Sequence, residues 1–257
     1  MQEPSYGARH DVWRTPAIRA PITPRRPLLW AYFTPKVKRL YLLRKALLKA
    51  HYTYPLFYKT KTLDFVAQIA AGKTLLVGEG NLSFTVSLMG DTRMQPDLLT
   101  ASTFELLSEL SPEAKENAKK LRGLDIKLRH GVDATELSST FGAELFDNIV
   151  FQFPHEGTRD PVEGRNPNFI LVRDFLKSVR RHLARGGKVL ISAVDSSYYR
   201  GAFQFEEAAK IAGFQSPEAY PFDPSKFRGY HHTMIHQDGS ALENHDQFAT
   251  WIFKPKT

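Results

Sequence analysis

The chain has no cysteine, so disulfides and thiolate metal sites are excluded, and a reducing, intracellular setting is the natural expectation. It has no apolar run approaching the ~18–20 residues that a membrane-spanning helix requires, and no membrane role is expected. Acidic residues are scarce at one end. Residues 1–62 hold only Glu3 and Asp11 against 13 Lys/Arg, a net of +11, while the remainder holds 22 Lys/Arg against 25 acids, a net of −3. The overall charge of +8 therefore belongs to the N-terminal quarter. A local positive field of this kind attracts phosphate backbones, and RNA is the expected partner. A solvated extension is the plainer reading. An organelle transit peptide is a third, although the stretch is long and aromatic for one and lacks the pattern of a secretory signal.

Prolines 4, 16, 21, 24, 27 and 35 punctuate this stretch beside Trp13, Trp30, Tyr32 and Phe33, which describes an extended arm. Over residues 36–50, Leu40, Leu43, Leu47 and Leu48 share one face of an expected helix, with Lys36, Arg39, Arg44, Lys45 and Lys49 largely elsewhere. The leucines can dock that helix on the main domain while its basic side meets RNA. The expected domains are thus a basic Pro/aromatic arm and amphipathic helix over 1–62 and a folded domain over 63–257.

From residue 73 onward short apolar strands alternate with helical stretches. Strands are expected at Thr74–Val77, Leu98–Ser102, Ile126–Arg129, Phe146–Phe153 and Lys188–Ala193, with two more near Phe214–Tyr220 and Gln247–Phe253. Helices are expected at about Asn81–Met89, from Ser111-Pro112 to Leu121, at about Asn168–Leu183 ending at Gly186-Gly187, and at Phe205–Ala212. This alternation gives an α/β fold: a mostly parallel seven-stranded sheet with helices on both faces, its last two strands free to pair antiparallel at an edge. Ligands of such sheets bind at the carboxyl ends of the strands.

Four segments at those ends carry chemistry. In Val77-Gly78-Glu79-Gly80-Asn81-Leu82-Ser83-Phe84, Gly78 and Gly80 permit a sharp turn and close approach of the backbone to a ligand, and the following helix offers N–H groups at its start. The turn lacks the third glycine of the dinucleotide pattern and carries no Gly-Lys-Ser/Thr, so it is not a P-loop. Glu105, 25 residues beyond Gly80, either hydrogen-bonds a ribose or is an ordinary surface side chain at a helix start. Asp133, in Gly131-Val132-Asp133-Ala134-Thr135, either accepts from an adenine amine or caps the segment beginning at Ala134. The loop Phe151-Gln152-Phe153-Pro154-His155-Glu156-Gly157 has the stacking and hydrogen-bonding groups to grip a flat base, and His155 is either a proton acceptor or a structural histidine.

Taken with Leu99-Thr100-Ala101-Ser102, with Phe146-Asp147-Asn148-Ile149-Val150 leading into Phe-Pro-His, and with Gly229-Tyr230-His231-His232, these segments resemble the eukaryotic 25S rRNA uridine-N3 methyltransferase family over roughly residues 73–235. The resemblance implies a Rossmann-like class I methyltransferase fold and S-adenosyl-L-methionine-dependent transfer to a uridine ring nitrogen in rRNA, with no metal. It implies nucleolar work in a eukaryote and cytoplasmic work in a bacterium. By motif position it implies a cofactor cradle of Gly78, Glu79, Gly80, Asn81, Ser83 and Phe84, with Thr103, Glu105, Asp133 and Ala134 on the nucleoside side. Gln152, Pro154 and His155 then line the transfer site, closed by Tyr230 and His232. The chain departs from the family at Gln152 (usually Asn), at Phe169 in Asn168-Phe169 (usually Asn-Arg) and at Ile235 (usually Thr). Because Gln152 and Phe169 differ, a small-molecule heterocycle is a second candidate substrate; a non-catalytic RNA-binding factor of the same fold is a third reading.

Overall fold

A computed structural model of the protein describes residues 62–158, 160–232 and 245–256. The basic arm, the helix expected over 36–50 and Ile235 lie outside the described residues. Seven strands form one sheet: β1 (Thr74–Val77), β2 (Leu99–Ser102), β3 (Lys127–Arg129), β4 (Phe146–Gln152), β5 (Leu183–Val194), β6 (Glu218–Pro221) and β7 (Phe248–Phe253). Their order is β3-β2-β1-β4-β5-β7-β6. The first five are parallel, and β7 runs antiparallel to both β5 and β6. The Rossmann-like architecture is therefore as expected, with the antiparallel pair at one edge. The strand order reverses between β1 and β4, which opens a crevice at their carboxyl ends.

The helices are α1 (Phe65–Ile69), α2 (Ser83–Leu88), α3 (Pro112–Arg122), α4 (Ser138–Phe141), α5 (Pro167–Val179), α6 (Ser197–Phe203) and α7 (Phe205–Ala212). Alternate strand residues separate two cores, because successive side chains point to opposite faces. Leu75, Val77, Ile149, Phe151 and Ile191 pack with Val172, Phe175 and Leu176 of α5 and Ala208 of α7. Leu76, Val150 and Leu190 pack on the other face with Phe65, Leu88 and Leu121 of α1, α2 and α3. Among the described residues, no helix is long and apolar enough to cross a membrane.

Two boundaries differ from expectation. Helix α5 ends at Val179, not near Leu183, and passes through a short 3-10 turn, Arg180–His182, into β5. Gly186 and Gly187 lie inside β5 and do not terminate the helix. Leu183 pairs with Phe146, and a register shift follows before Asn148 meets Lys188. A Cβ on Gly187 would lie 2.9 Å from the Ala184 carbonyl and 3.1 Å from those of Asp147 and Phe146, so this crossing of backbones needs glycine. Helix α6 was not expected. Ser196 caps it by accepting from the Tyr199 amide.

Candidate active site

Gly78 leaves β1 with φ +66°, and a Cβ there would sit 2.5 Å from Cε2 of Phe151. The turn thus requires glycine for both conformation and space. Gly80 does not: it has no positive φ, and a Cβ would meet nothing within 4 Å. Its open side faces a cavity of about 980 Å³ at the carboxyl ends of β1, β2 and β4. That size is at the upper end of the ~300–1,000 Å³ usual for ligand pockets, room for a nucleoside-sized cofactor and a second flat ring.

Most expected site residues converge here. Gly78, Glu79, Gly80, Asn81 and Phe84 line the cavity from the turn, and Glu105, Asp133 and Ala134 line it from the ends of β2 and β3. Gln152, Pro154 and His155 line it from β4, and Tyr230 and His232 from the late segment. Ser83 and Thr103 are not in the lining. Ser83 is buried, and its Oγ donates to the His231 carbonyl (2.9 Å) and accepts from the His231 amide (3.2 Å). Asn81 Nδ2 donates to the same carbonyl at 3.0 Å. These two side chains clamp the Tyr230–His232 segment onto the turn. Thr103 Oγ1 donates to the Glu105 carbonyl at 2.8 Å and lies 2.9 Å from His130 Nδ1, shaping the bend that carries Glu105.

The start of α2 is not an open row of donors. Asn81 Oδ1 accepts from the Ser83 amide, and Glu79 Oε2 accepts from the Thr85 amide at 3.0 Å and the Thr85 hydroxyl at 2.6 Å. Burial pushes the Glu79 carboxyl up from its ordinary 4.5 to about 7, against the lowering effect of Thr85. Tyr230 packs its ring 4.9 Å from that of Phe84, and burial and then the nearby Glu79 hold its hydroxyl protonated.

Asp133 caps the 3-10 turn Ala134–Glu136, its Oδ1 accepting from the amide and hydroxyl of Thr135, both at 2.7 Å. The capping reading is therefore what the side chain does, while its exposed position still faces the cavity. Glu105 is different. Its Oε2 is buried with no hydrogen-bond partner among the described residues, and so are both Nε2 and Oε1 of Gln152. An unpartnered buried polar atom costs about 1–3 kcal/mol, which makes both side chains candidates for hydrogen bonds to a ligand.

After Gln152, Phe153 turns the chain with φ +51°. The loop is then held by Asn168 Oδ1, which accepts from the Glu156 amide at 3.0 Å. Asn168 thus positions the loop that carries Pro154 and His155, a role its place in the Asn168-Phe169 pair does not declare. Its signal was a polar side chain on the buried side of α5 immediately after Pro167. Asn117 is similar: it interrupts the apolar stripe Ala114, Ala118, Leu121 and donates to the Asn81 carbonyl at 2.9 Å. Phe169 is a core residue under Arg165, whose guanidinium lies 5.0 Å above the ring, so this departure from the family pattern does not face the cavity. Gln152 does.

His155 Nδ1 accepts from the Gly157 amide at 2.7 Å. A neutral ring therefore carries its proton on Nε2, and protonating Nδ1 means giving up that bond, a cost of about 1 kcal/mol. His232 is held neutral: burial, then His155, lowers its pKa to about 4.

The lining contains five carboxylates, Glu79, Glu105, Asp133, Glu156 and Asp160, and, among the described residues, no lysine or arginine. This donor set is wrong for a phosphate or pyrophosphate and right for a ligand that is cationic and carries ribose hydroxyls. S-adenosyl-L-methionine meets both conditions, and the open side of Gly80 and the unpartnered Glu105 Oε2 fit its approach.

A family model described as "BMT5-like: rRNA (uridine-N3-)-methyltransferase BTM5-like" matches residues 75–234. Among curated proteins, the chain is similar to "Ferredoxin-fold anticodon-binding domain-containing protein 1 homolog" of Mus musculus, 32% identical over 173 residues, 62% of this chain and 27% of that protein. It is also similar to an uncharacterized protein of Arabidopsis thaliana, At4g26485, 29% identical over 186 residues, 68% of this chain and 86% of that one. The chain thus spans about a quarter of the length of the mouse relative. Among solved structures it is similar to the N-methyltransferase NodS from Bradyrhizobium japonicum, with a TM-score of 0.44 and 18% identity, covering 72% of this chain and 85% of that one.

Proposed function

The chain belongs to the BMT5-like rRNA (uridine-N3-)-methyltransferase family, and from that premise we propose that it methylates a ring nitrogen of uridine in rRNA, using S-adenosyl-L-methionine. When bound, the cofactor supplies an electrophilic methyl group on a sulfonium. The observation that carries the reading is the Gln152 carboxamide, buried and unpartnered at the end of β4, in a cavity that also has the unpartnered Glu105 at the end of β2. Two separated sets of unmet hydrogen bonds are what a two-substrate site needs.

In this reading Glu105 takes ribose hydroxyls, and Asp133, while capping its turn, presents its second oxygen toward the adenine amine. Gln152 orients the base edge through its amide, beside Pro154, with the rings of Phe153 and His232 stacked edge-on behind it (5.1 Å). Tyr230 and His232, fixed through Asn81 and Ser83, close the cavity and exclude water, so that the work of catalysis is mainly alignment. Uridine must lose its ring proton. His155 receives it, directly or through water, exchanging the Gly157 hydrogen bond for the new N–H bond.

Label from methyl-labelled S-adenosyl-L-methionine is expected in RNA and not in extracted metabolites. Label in a free heterocycle assigns the small-molecule reading, and absence of cofactor binding by calorimetry assigns the non-catalytic one. Residues 1–62 bind the RNA backbone, supported by their net of +11. Their deletion is expected to lower RNA affinity and flatten its dependence on salt. An unchanged slope assigns them to packing or targeting. An rRNA substrate is consistent with nucleolar work in a eukaryote and cytoplasmic work in a bacterium.

A further inference from the structure

Glu79 stands between the two glycines of the turn, is 7% exposed and walls the cavity. Among the described residues its carboxyl group accepts hydrogen bonds from Thr85 alone, and through one oxygen. No cationic side chain among the described residues shares the cavity with it. A buried carboxylate with no counter-ion holds a proton instead, and it releases that proton when a cation arrives.

We propose that Glu79 is the cavity's exchangeable counter-charge: a cationic ligand entering the cavity displaces the carboxyl proton to solvent, and the resulting carboxylate becomes the ligand's counter-ion. The inference rests on the S-adenosyl-L-methionine reading above. It goes beyond it in assigning a proton to cofactor binding and the residue that gives it up.

The groups around Glu79 leave it this role. From α2 it meets Thr85, which does not titrate. From the late segment Tyr230 faces it, with a hydroxyl kept protonated by burial and by Glu79 itself. His231 and His232 follow; the first is 3.4 Å from Glu113, and the second stays neutral above about pH 4. Glu105 at the end of β2, Asp133 after β3, and His155, Glu156 and Asp160 after β4 complete the titratable lining. Glu79, raised to about 7 by burial, is poised to change state near neutral pH.

The test is titration calorimetry of the full chain with S-adenosyl-L-methionine at pH 6, 7 and 8, each in two buffers of different protonation enthalpy. Close to one proton is expected to leave per ligand bound at pH 6, about half at pH 7 and few at pH 8. Affinity is expected to fall about tenfold from pH 8 to pH 6, the change set by a carboxyl that is protonated near 7 before binding and ionised after it. Glu79→Gln has no proton to lose, so it loses that part of the slope; titration of the ligand's own amine occurs in both proteins and cancels in the comparison. A wild-type heat that is independent of buffer at pH 6 overturns the proposal without recourse to the variant. So does a variant that keeps the full slope, which assigns the proton to the cavity histidines. No binding at any pH overturns the cofactor reading as well, which separates the two failures.

Discussion

The same carboxyl group fixes a stability prediction that needs no ligand. Glu79→Gln keeps an oxygen to accept from the amide and hydroxyl of Thr85 and removes only the charge. In the folded protein Glu79 ionises near 7, against an ordinary 4.5. A raised folded pKa contributes stability that is complete below the ordinary value and is lost as pH rises through the folded one. The interval corresponds to about 3 kcal/mol by the linkage relation. The glutamine variant carries no such dependence, so its stability relative to wild type is expected to increase by about 2–3 kcal/mol between pH 5 and pH 8. Urea unfolding of both proteins at the two pH values measures this, and all other titrating groups cancel in the difference. A difference that stays constant across that range refutes the reasoning, because it means Glu79 ionises alike in the folded and unfolded chains. The variant is thus expected to fold better and bind a cationic cofactor worse, the trade-off of a site held in a costly state.

Gly78→Ala is expected to lower the melting temperature sharply, since its Cβ would lie 2.5 Å from Phe151 at φ +66°, a cost of at least about 1–3 kcal/mol. Gly80→Ala is expected to leave melting unchanged and to weaken cofactor binding at least about tenfold, or 1.4 kcal/mol; equal affinity argues against close approach at Gly80. Gln152→Leu relieves two unpartnered buried atoms, so the protein is expected to melt at the same or a higher temperature while methyl transfer falls by roughly 10–100-fold with cofactor affinity retained. Loss of cofactor binding in that variant would place Gln152 on the wrong side of the cavity. His155→Ala is expected to reduce turnover by about 10²–10⁴-fold and to spare cofactor affinity; losses equal in both, or in neither, remove it from proton transfer.

Where the sequence was legible, the deciding signals were local. Ser111-Pro112 starts α3 as expected and the helix ends one residue beyond the expected Leu121, and the apolar runs of β1 and β4 sit within a residue or two of their expected ends. Gly186-Gly187 misled because a glycine pair is a local stop signal, whereas β5 is set by non-local pairing: Leu183 has already joined Phe146 before the glycines arrive. Helix α6 escaped because Ser197–Phe203 contains Gly201 and three aromatics, weak helix formers, and is held by the Ser196 cap and the burial of Ala202 and Phe203. At the site, the glycine turn and the Phe-Pro-His loop declared themselves by type and order. The role of Ser83 did not, since its partner is 148 residues away at His231. The capping of Asp133 was legible as one of two readings, and the geometry shows that a side chain can cap and still face the cavity.

The distribution of charge links the cavity to its substrate. The five carboxyl groups of the lining suit a cationic cofactor but disfavour the phosphates of the RNA substrate proposed above. Residues 63–257 carry a net of −3, whereas residues 1–62 concentrate +11. Interactions between exposed charges are screened over a Debye length of about 8–10 Å at physiological salt, so binding of a nucleic-acid backbone by residues 1–62, as proposed, is sensitive to salt. That separation fixes the direction of two further effects. Raising salt is expected to weaken RNA binding steeply while sparing S-adenosyl-L-methionine, whose proposed counter-charge Glu79 is buried. Neutralising Glu79 is expected to do the reverse, weakening the cofactor and leaving the salt slope for RNA where it was. A single change that moved both together would mean that one surface serves both ligands, and the division of labour argued from these charges would be wrong.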